Sequence, residues 1–229
     1  MKIKPVILCG GSGSRLFPGF KKVPSKQFID FGGWSLFEKT LDRVKTKIFD
    51  SPIISTNKIY EDLVIKALKK KKISRYKIVL EPSKKNTAAA IVSSSLLDEI
   101  KLDHPILFLP SDHYIQQKEI FNKILYSNLK NLNNKNMFIF GIKPKTPRSD
   151  YGYLLNKKVN KKINKVINFV EKPKKILAIK LIKNKAFWNS GIVLARKDSI
   201  INNAKKHQKT LFVQCLKSLN KVNQKKKNN

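Results

Sequence analysis

The sequence predicts an α/β protein built on a Rossmann-like, mostly parallel mixed sheet with helices on both faces. Three observations carry that expectation. Short apolar runs of strand length alternate along the chain with longer amphipathic stretches. The first such run, residues 5–9, passes straight into a glycine-rich loop, Gly10-Gly11-Ser12-Gly13-Ser14-Arg15. Apolar residues make up 41% of a 229-residue chain, enough for one substantial core.

Taken in order, Pro5-Val6-Ile7-Leu8-Cys9 is a compact apolar segment of buried-strand type. Leu36, Phe37, Leu41, Val44 and Ile48 recur at helical spacing and mark one helix face. Residues 52–55 read as a strand. Leu63, Val64, Ala67 and Leu68 mark a helix that ends in the lysine run 69–72. Residues 78–80 read as a strand and 87–100 as a helix with an alanine-rich start. Pro105-Ile106-Leu107-Phe108-Leu109 is the most strand-like segment of all. A helix over 120–132 and a strand over 137–142 follow. Beyond Pro147 the rhythm changes: 151–154, 166–170 and 191–195 read as strands with little helix between the first two. Residues 199–206 form a helix, Lys197-Asp198-Ser199 reads as its N-cap, and a last helix runs to about Leu219. The expected organisation is a single domain over 1–220 with a polar, lysine-rich, disordered tail over 221–229.

The formal charge of +34 invites a nucleic-acid reading. Its make-up argues against a specific one. Only five of the 49 basic residues are arginine, and the lysines are scattered over every segment instead of forming a stripe. The charge is a general bias that raises affinity for polyanions in a salt-dependent way. Two widely spaced cysteines, Cys9 and Cys215, offer no metal or disulfide pattern. No stretch has the length of a membrane span and no signal peptide opens the chain, so a cytoplasmic location is expected.

In open parallel sheets, ligands bind at the carboxyl ends of the strands. Here those ends are chemically furnished. Glycines after the first strand let several backbone N–H groups turn toward one anion, and no Cβ blocks close approach. Arg15 and Lys26 add positive charge suited to a polyphosphate. The spacing is neither the P-loop nor the dinucleotide fingerprint. A later strand ends at Glu81, with Asn86-Thr87 at the next helix start. Another ends at Pro110-Ser111-Asp112-His113, and an aspartate facing phosphates suits Mg²⁺, which takes one or two carboxylates plus phosphate oxygens. Capping of the next turn is the competing role for Asp112. His113 and Trp188 read as structural residues, and Tyr151 and Tyr153 as alternating strand positions.

Taken jointly and in order, these blocks resemble the sugar-1-phosphate nucleotidylyltransferases, most closely the guanylyl branch that uses mannose 1-phosphate. The family pattern G-G-x-G-x-R-L-x-P is matched by residues 10–18 and K-Q-F by Lys26-Gln27-Phe28. E-P-x-x-x-N-T-A-x-A-I is matched by 81–91, P-S-D-H by 110–113, F-G-I-x-P by 140–144 and Y-G-Y by 151–153. F-V-E-K-P corresponds to 169–173 and W-N-S-G to 188–191. The likeness covers the chain to about residue 220. Phe17, Ser25 and Ala89 depart mildly from the pattern.

The resemblance implies a nucleotidyltransferase fold and a site for GTP and mannose 1-phosphate, yielding GDP-mannose. Backbone N–H groups around Gly10, Gly11, Ser12, Gly13 and Ser14 would hold the triphosphate, with Arg15 on its outer phosphates. Lys26 would offset charge at the α-phosphate and Asp112 would hold Mg²⁺. Glu81, Asn86 and Thr87 would lie near guanine and ribose. Gly152, Glu171 and Asn189 would read sugar hydroxyls, and Lys172 would bind the sugar's phosphate. The family's final block, whose aspartate is a second metal ligand, has no counterpart here, and Asp198 does not fill that role. Asp112 would then be the lone protein carboxylate on the cation unless a homo-oligomer or companion chain supplies another. Transfer to another sugar phosphate, a catalytically impaired nucleotide-binding fragment and, last, a polyanion-binding module are the alternatives.

Overall fold

A computed structural model describes residues 1–11, 25–81, 87–159 and 163–227, with side chains through residue 219. The chain forms two compact units, one of residues 1–138 and 193–229 and one of residues 139–192.

In the first unit, strand β1 (Lys4–Cys9) is followed by helix α1 (Leu36–Val44), β2 (Ile53–Asn57), α2 (Glu61–Lys70) and β3 (Lys77–Glu81). Helix α3 (Thr87–Ser95), β4 (Pro105–Pro110) and α4 (Lys118–Asn128) complete the run. The strands lie parallel in the order β3-β2-β1-β4, with Cys9 opposite Thr56, Leu8 opposite Pro110 and Asn57 opposite Glu81. All four strands therefore finish along one edge.

Side chains alternate between the faces of a strand. Val6, Leu8, Ile53, Ile106 and Phe108 pack on one face against Leu97 and Ile100, which follow α3, and Ile200. The intervening Ile7, Cys9, Ile54, Leu107 and Leu109 are also buried, as expected of a sheet covered on both sides. Ser35 caps α1 by accepting from the Glu38 N–H at 3.2 Å.

In the second unit, β6 (Tyr153–Lys158) pairs antiparallel with β7 (Asn164–Val170) and with the start of β8 (Phe187–Arg196). Strand β5 (Met137–Ile142) also pairs with β8. Helix α5 (Lys175–Lys183) buries Ala178 and Leu181 on Tyr153 and Ala186. Trp188 packs on this cluster, and the Tyr153 hydroxyl both donates to the Arg148 carbonyl (2.9 Å) and accepts from its N–H (3.0 Å). Trp188 and Tyr153 are thus packing residues, as their sequence context suggests.

The far end of β8 returns to the first unit, pairing antiparallel with β4 from Phe108↔Val193 to Pro105↔Arg196. Helices α6 (Lys197–His207) and α7 (Lys209–Lys227) follow. The buried Lys197 ammonium donates to the carbonyls of Leu97 (2.8 Å) and Ile100 (2.7 Å), tying α6 to the segment after α3. Burial lowers its pKa.

Several boundaries differ from the sequence expectation. Helix α5 was not expected: its KILAIKLIK sequence is apolar on several sides and shows no clean amphipathic period. Helix α7 continues past Leu219 to Lys227, because lysine is a good helix former and no glycine or proline interrupts the run. Asp198 is not an N-cap, since Arg196 occupies that position. The Asp198 carboxylate is instead gripped by the Arg196 guanidinium at 2.5 and 3.1 Å and accepts from the Ser199 N–H at 2.7 Å.

Candidate functional site

The shared edge of β1 to β4 collects most of the first unit's candidate residues. Strand β1 runs into Gly10 and Gly11, and the Gly11 carbonyl is held from a distant part of the chain. The Ser25 hydroxyl shares its single proton between the Gly11 carbonyl (2.5 Å) and Gln27 Oε1 (2.7 Å). Gln27 Nε2 donates to the same carbonyl at 3.2 Å. Gln27 is buried, at 1% exposure, in a short 3₁₀ turn over Lys26–Phe28. That turn thus fixes the loop entrance and presents Lys26 beside it. Sequence reasoning counted Ser25 a mild departure and gave Gln27 no role of its own. Their signal was the placement of two side chains able to bond a carbonyl on either side of Lys26.

Gly11 needs no glycine for its own sake. Its φ lies outside the left-handed range, and among the described residues a Cβ placed on it meets no atom within 4 Å. At Gly10 the nearest described atom to a Cβ would be the Glu81 carboxylate, at an ordinary 3.5 Å. Among the described residues neither packing nor backbone conformation demands glycine at Gly11. The open space beside it is what a ligand approaching the backbone requires.

Glu81 closes β3 at this edge. Its Oε1 accepts from the Ser55 hydroxyl at 2.6 Å and its carbonyl from Asn57 Nδ2 at 3.2 Å. These bonds leave Oε2 toward Gly10. Thr87, the first residue of α3, is exposed. Cys9, at the end of β1, is walled in: burial pushes its thiol up to about 12, so it is an inert packing residue.

Lys26 and Asp112 form an ion pair, which joins two residues distant in sequence at the end of β4. The Asp112 side chain is 17% exposed and that of Lys26 34%, so the pair opens to solvent on one side. Asp112 therefore holds a lysine rather than merely capping a turn. Among the described residues no cluster of three or more metal-ligating side chains occurs. Asp112 can still join a cation whose other ligands are phosphate oxygens and water, the usual Mg²⁺ arrangement. His113, the next residue, has its pKa lowered by burial and stays neutral near pH 7, which suits a structural role.

The second unit gathers the remaining candidates. Gly152 is tightly enclosed: a Cβ there would lie 2.7 Å from the Phe169 ring and 2.8 Å from Glu171 Oε2. Its carbonyl accepts from the Asn189 N–H at 2.8 Å. Asn189 Oδ1 in turn accepts from the Gly191 N–H at 3.0 Å within β8, where Gly191 has φ +72°. Glu171 and Lys172 form a solvent-facing ion pair at 3.1 Å. Lys172 has φ +44°, a left-handed conformation that costs a non-glycine residue roughly 1–3 kcal/mol. Lys72 and Lys185 share that conformation, so it does not by itself single out Lys172.

Gly10, Gly11, Lys26, Glu81, Thr87 and Asp112 thus lie in the first unit, and Gly152, Glu171, Lys172 and Asn189 in the second. Ser12, Gly13, Ser14, Arg15 and Asn86 lie outside the described residues.

The nucleotidyl transferase family pattern matches residues 4–228, almost the whole chain. The chain belongs to the nucleotidyl transferase family. Among its relatives in that family, alginate biosynthesis protein AlgA of Pseudomonas fluorescens is 33% identical over 226 residues, covering 96% of this chain and 47% of its own. A mannose-1-phosphate guanylyltransferase of Sinorhizobium fredii is 34% identical over 216 residues, covering 90% and 41%. The chain therefore spans about half the length of the curated relatives it matches. In three dimensions it is similar to a Thermus thermophilus structure named mannose-1-phosphate geranyltransferase, with TM-score 0.82, 24% identity, and coverage of 96% of this chain and 64% of that one. That likeness establishes the same α/β nucleotidyltransferase fold. No helix among the described residues is long and apolar enough to cross a membrane.

Proposed function

We propose that this chain transfers a guanylyl group from GTP to mannose 1-phosphate. An oxygen of the sugar phosphate bonds to the α-phosphorus of GTP, the bond from that phosphorus to the bridging β-phosphate oxygen breaks, and GDP-mannose and pyrophosphate result. The attacking phosphate oxygen is already ionised, so no general base is required, in keeping with a half-buried His113 whose pKa is lowered by desolvation. Positioning and charge stabilisation carry such reactions.

The observation that carries this reading is the meeting of Lys26 and Asp112 beside an anchored, side-chain-free Gly10–Gly11 segment. The backbone around the glycines receives the phosphates, and Arg15 contacts their outer oxygens. Lys26 places its ammonium at the α-phosphate. Asp112 would hold Mg²⁺ together with phosphate oxygens, and the ion would neutralise the charge of the triphosphate. Glu81 lies toward the base, where a carboxylate can accept from adjacent N–H donors of guanine, and Asn86 and Thr87 lie toward guanine and ribose. Glu171 and Asn189 contact sugar hydroxyls and Lys172 the sugar's phosphate. Gly152 supports them by admitting Phe169 and Glu171 close to its backbone. These substrates place the reaction in the cytoplasm.

Pyrophosphate release tests the proposal. Purified protein is offered GTP, ATP, UTP or dTTP, each with mannose 1-phosphate or glucose 1-phosphate, and a divalent cation. Release confined to GTP with mannose 1-phosphate is expected. Preference for another pair would move the assignment within the family, and a folded protein that binds GTP without turnover would make the chain a nucleotide-binding one.

A further inference from the structure

Arg43 is among the largest fully buried side chains, at 2% exposure, and among the described residues no carboxylate pairs with it. Its Nε has no hydrogen-bond partner, and burial pushes its pKa down to about 10. An enclosed, unpaired guanidinium is expensive, and an apolar residue of similar volume is often the more stable choice. Its bonds show what it does there. Nη2 donates to the His113 carbonyl at 2.7 Å, while Nη1 lies 3.5 Å from Thr40 Oγ1. Thr40, fully buried one turn earlier on α1, has its single hydroxyl proton nearer the Leu36 carbonyl (3.1 Å) than the Ser111 carbonyl (3.4 Å). The Ser111 N–H in turn donates to the Leu8 carbonyl of β1 at 3.1 Å.

The backbone groups on both sides of Asp112 are therefore held, by β1 on one flank and by Arg43 on the other. We infer that Arg43 is a positioning residue that clamps the 111–113 turn and so aims the Asp112 carboxylate at Lys26 and the phosphates. Its catalytic consequence rests on the guanylyl-transfer reading; the clamp does not. Arginine suits the task because its fork reaches two acceptors from a fixed plane and keeps its charge when buried. The chain spends one of only five arginines here.

The test compares Arg43→Met and Arg43→Lys with the wild type by thermal unfolding, hydrogen exchange of the peptide spanning 109–115, and steady-state kinetics. Arg43→Met should unfold at a temperature no lower than wild type, yet exchange at 112–114 should quicken at least tenfold. Its kcat should fall at least tenfold while KM for GTP changes less than twofold. Arg43→Lys, which keeps a charged donor, should recover part of both losses. Unchanged exchange at 112–114, or kcat unchanged in a variant whose exchange has quickened, would overturn the inference. So would a loss of activity matched by lost stability and not relieved by lysine. Should the methionine variant fail to fold, the lysine variant decides: exchange and kcat both equal to wild type would refute a clamp that needs the planar fork. If the wild type releases no pyrophosphate, the functional reading falls, and the exchange measurement alone still decides whether Arg43 holds the turn.

Discussion

Replacing Gly11 by alanine should move stability and nucleotide affinity in opposite directions. The added methyl enters space with no atom of the described residues within 4 Å, and the backbone there is not left-handed. Where a new side chain is accommodated without strain, glycine-to-alanine changes stabilise by about 0.4–1 kcal/mol, through the lost freedom of the unfolded chain. For a chain of this size that corresponds to a rise of about 1–4 °C in Tm. Binding should suffer, because the methyl occupies the approach to backbone N–H groups. One lost charge-assisted hydrogen bond is worth about 1.5–3 kcal/mol, or roughly a 10- to 150-fold weaker Kd for GTP. Scanning calorimetry and isothermal titration on the same preparations give both numbers. A variant that binds GTP as tightly as wild type would refute the reasoning, because the open space at Gly11 would then have no ligand to serve. A clear fall in Tm would refute it differently, by showing a packing requirement.

Other perturbations separate the remaining roles. Asp112→Asn keeps shape but removes the charge that pairs with Lys26, so turnover should fall at least 100-fold with the far-ultraviolet circular dichroism unchanged; turnover within threefold of wild type would remove Asp112 from the reaction. Gly152→Ala would force a methyl to within 2.7 Å of the Phe169 ring. Overpacking of that kind costs about 1–3 kcal/mol, so its urea midpoint should drop, and an unchanged midpoint would show that the ring can yield. Burial lowers the pKa values of His113 and His104, so the unfolded chain binds more protons just below the ordinary histidine value of about 6.5. Stability should hold above that pH, fall as pH drops from about 6.5 through the folded-state values, and level off below them. His113→Asn should flatten part of that slope in urea titrations, and an identical slope would assign the acid sensitivity elsewhere.

Much of the molecule was legible because local pattern and tertiary role agree. The apolar runs that became β1 and β4 are buried on both faces, and the glycines after β1 fall at the strand edge where ligands bind. Reading failed where local pattern carries no period or where a distant partner intervenes. Helix α5 escaped notice because isoleucine and leucine surround it: Ile176 is 74% exposed while Ala178 is fully buried. Asp198 has the composition of a cap, but the neighbouring Arg196 guanidinium takes its carboxylate. At the site, motif order placed Lys26 and Asp112 near one substrate, yet their mutual pairing depends on how far the 3₁₀ turn reaches toward β4. The clamp of Arg43 on the 111–113 turn could not be inferred from spacing, because its acceptor is a backbone carbonyl, which sequence patterns do not mark. The one available hint was an arginine on an amphipathic helix, seven residues from Leu36 on its apolar face, in a chain that mostly uses lysine.

The most direct test of the central claim is mass-spectrometric detection of GDP-mannose after the purified chain is mixed with GTP, mannose 1-phosphate and Mg²⁺, run beside Asp112→Asn. GDP-mannose accumulating in step with pyrophosphate in the wild type, and lost in the variant, is the predicted result. A folded wild-type chain that binds GTP but forms no GDP-mannose, or a variant that forms it as fast as wild type, would contradict the account.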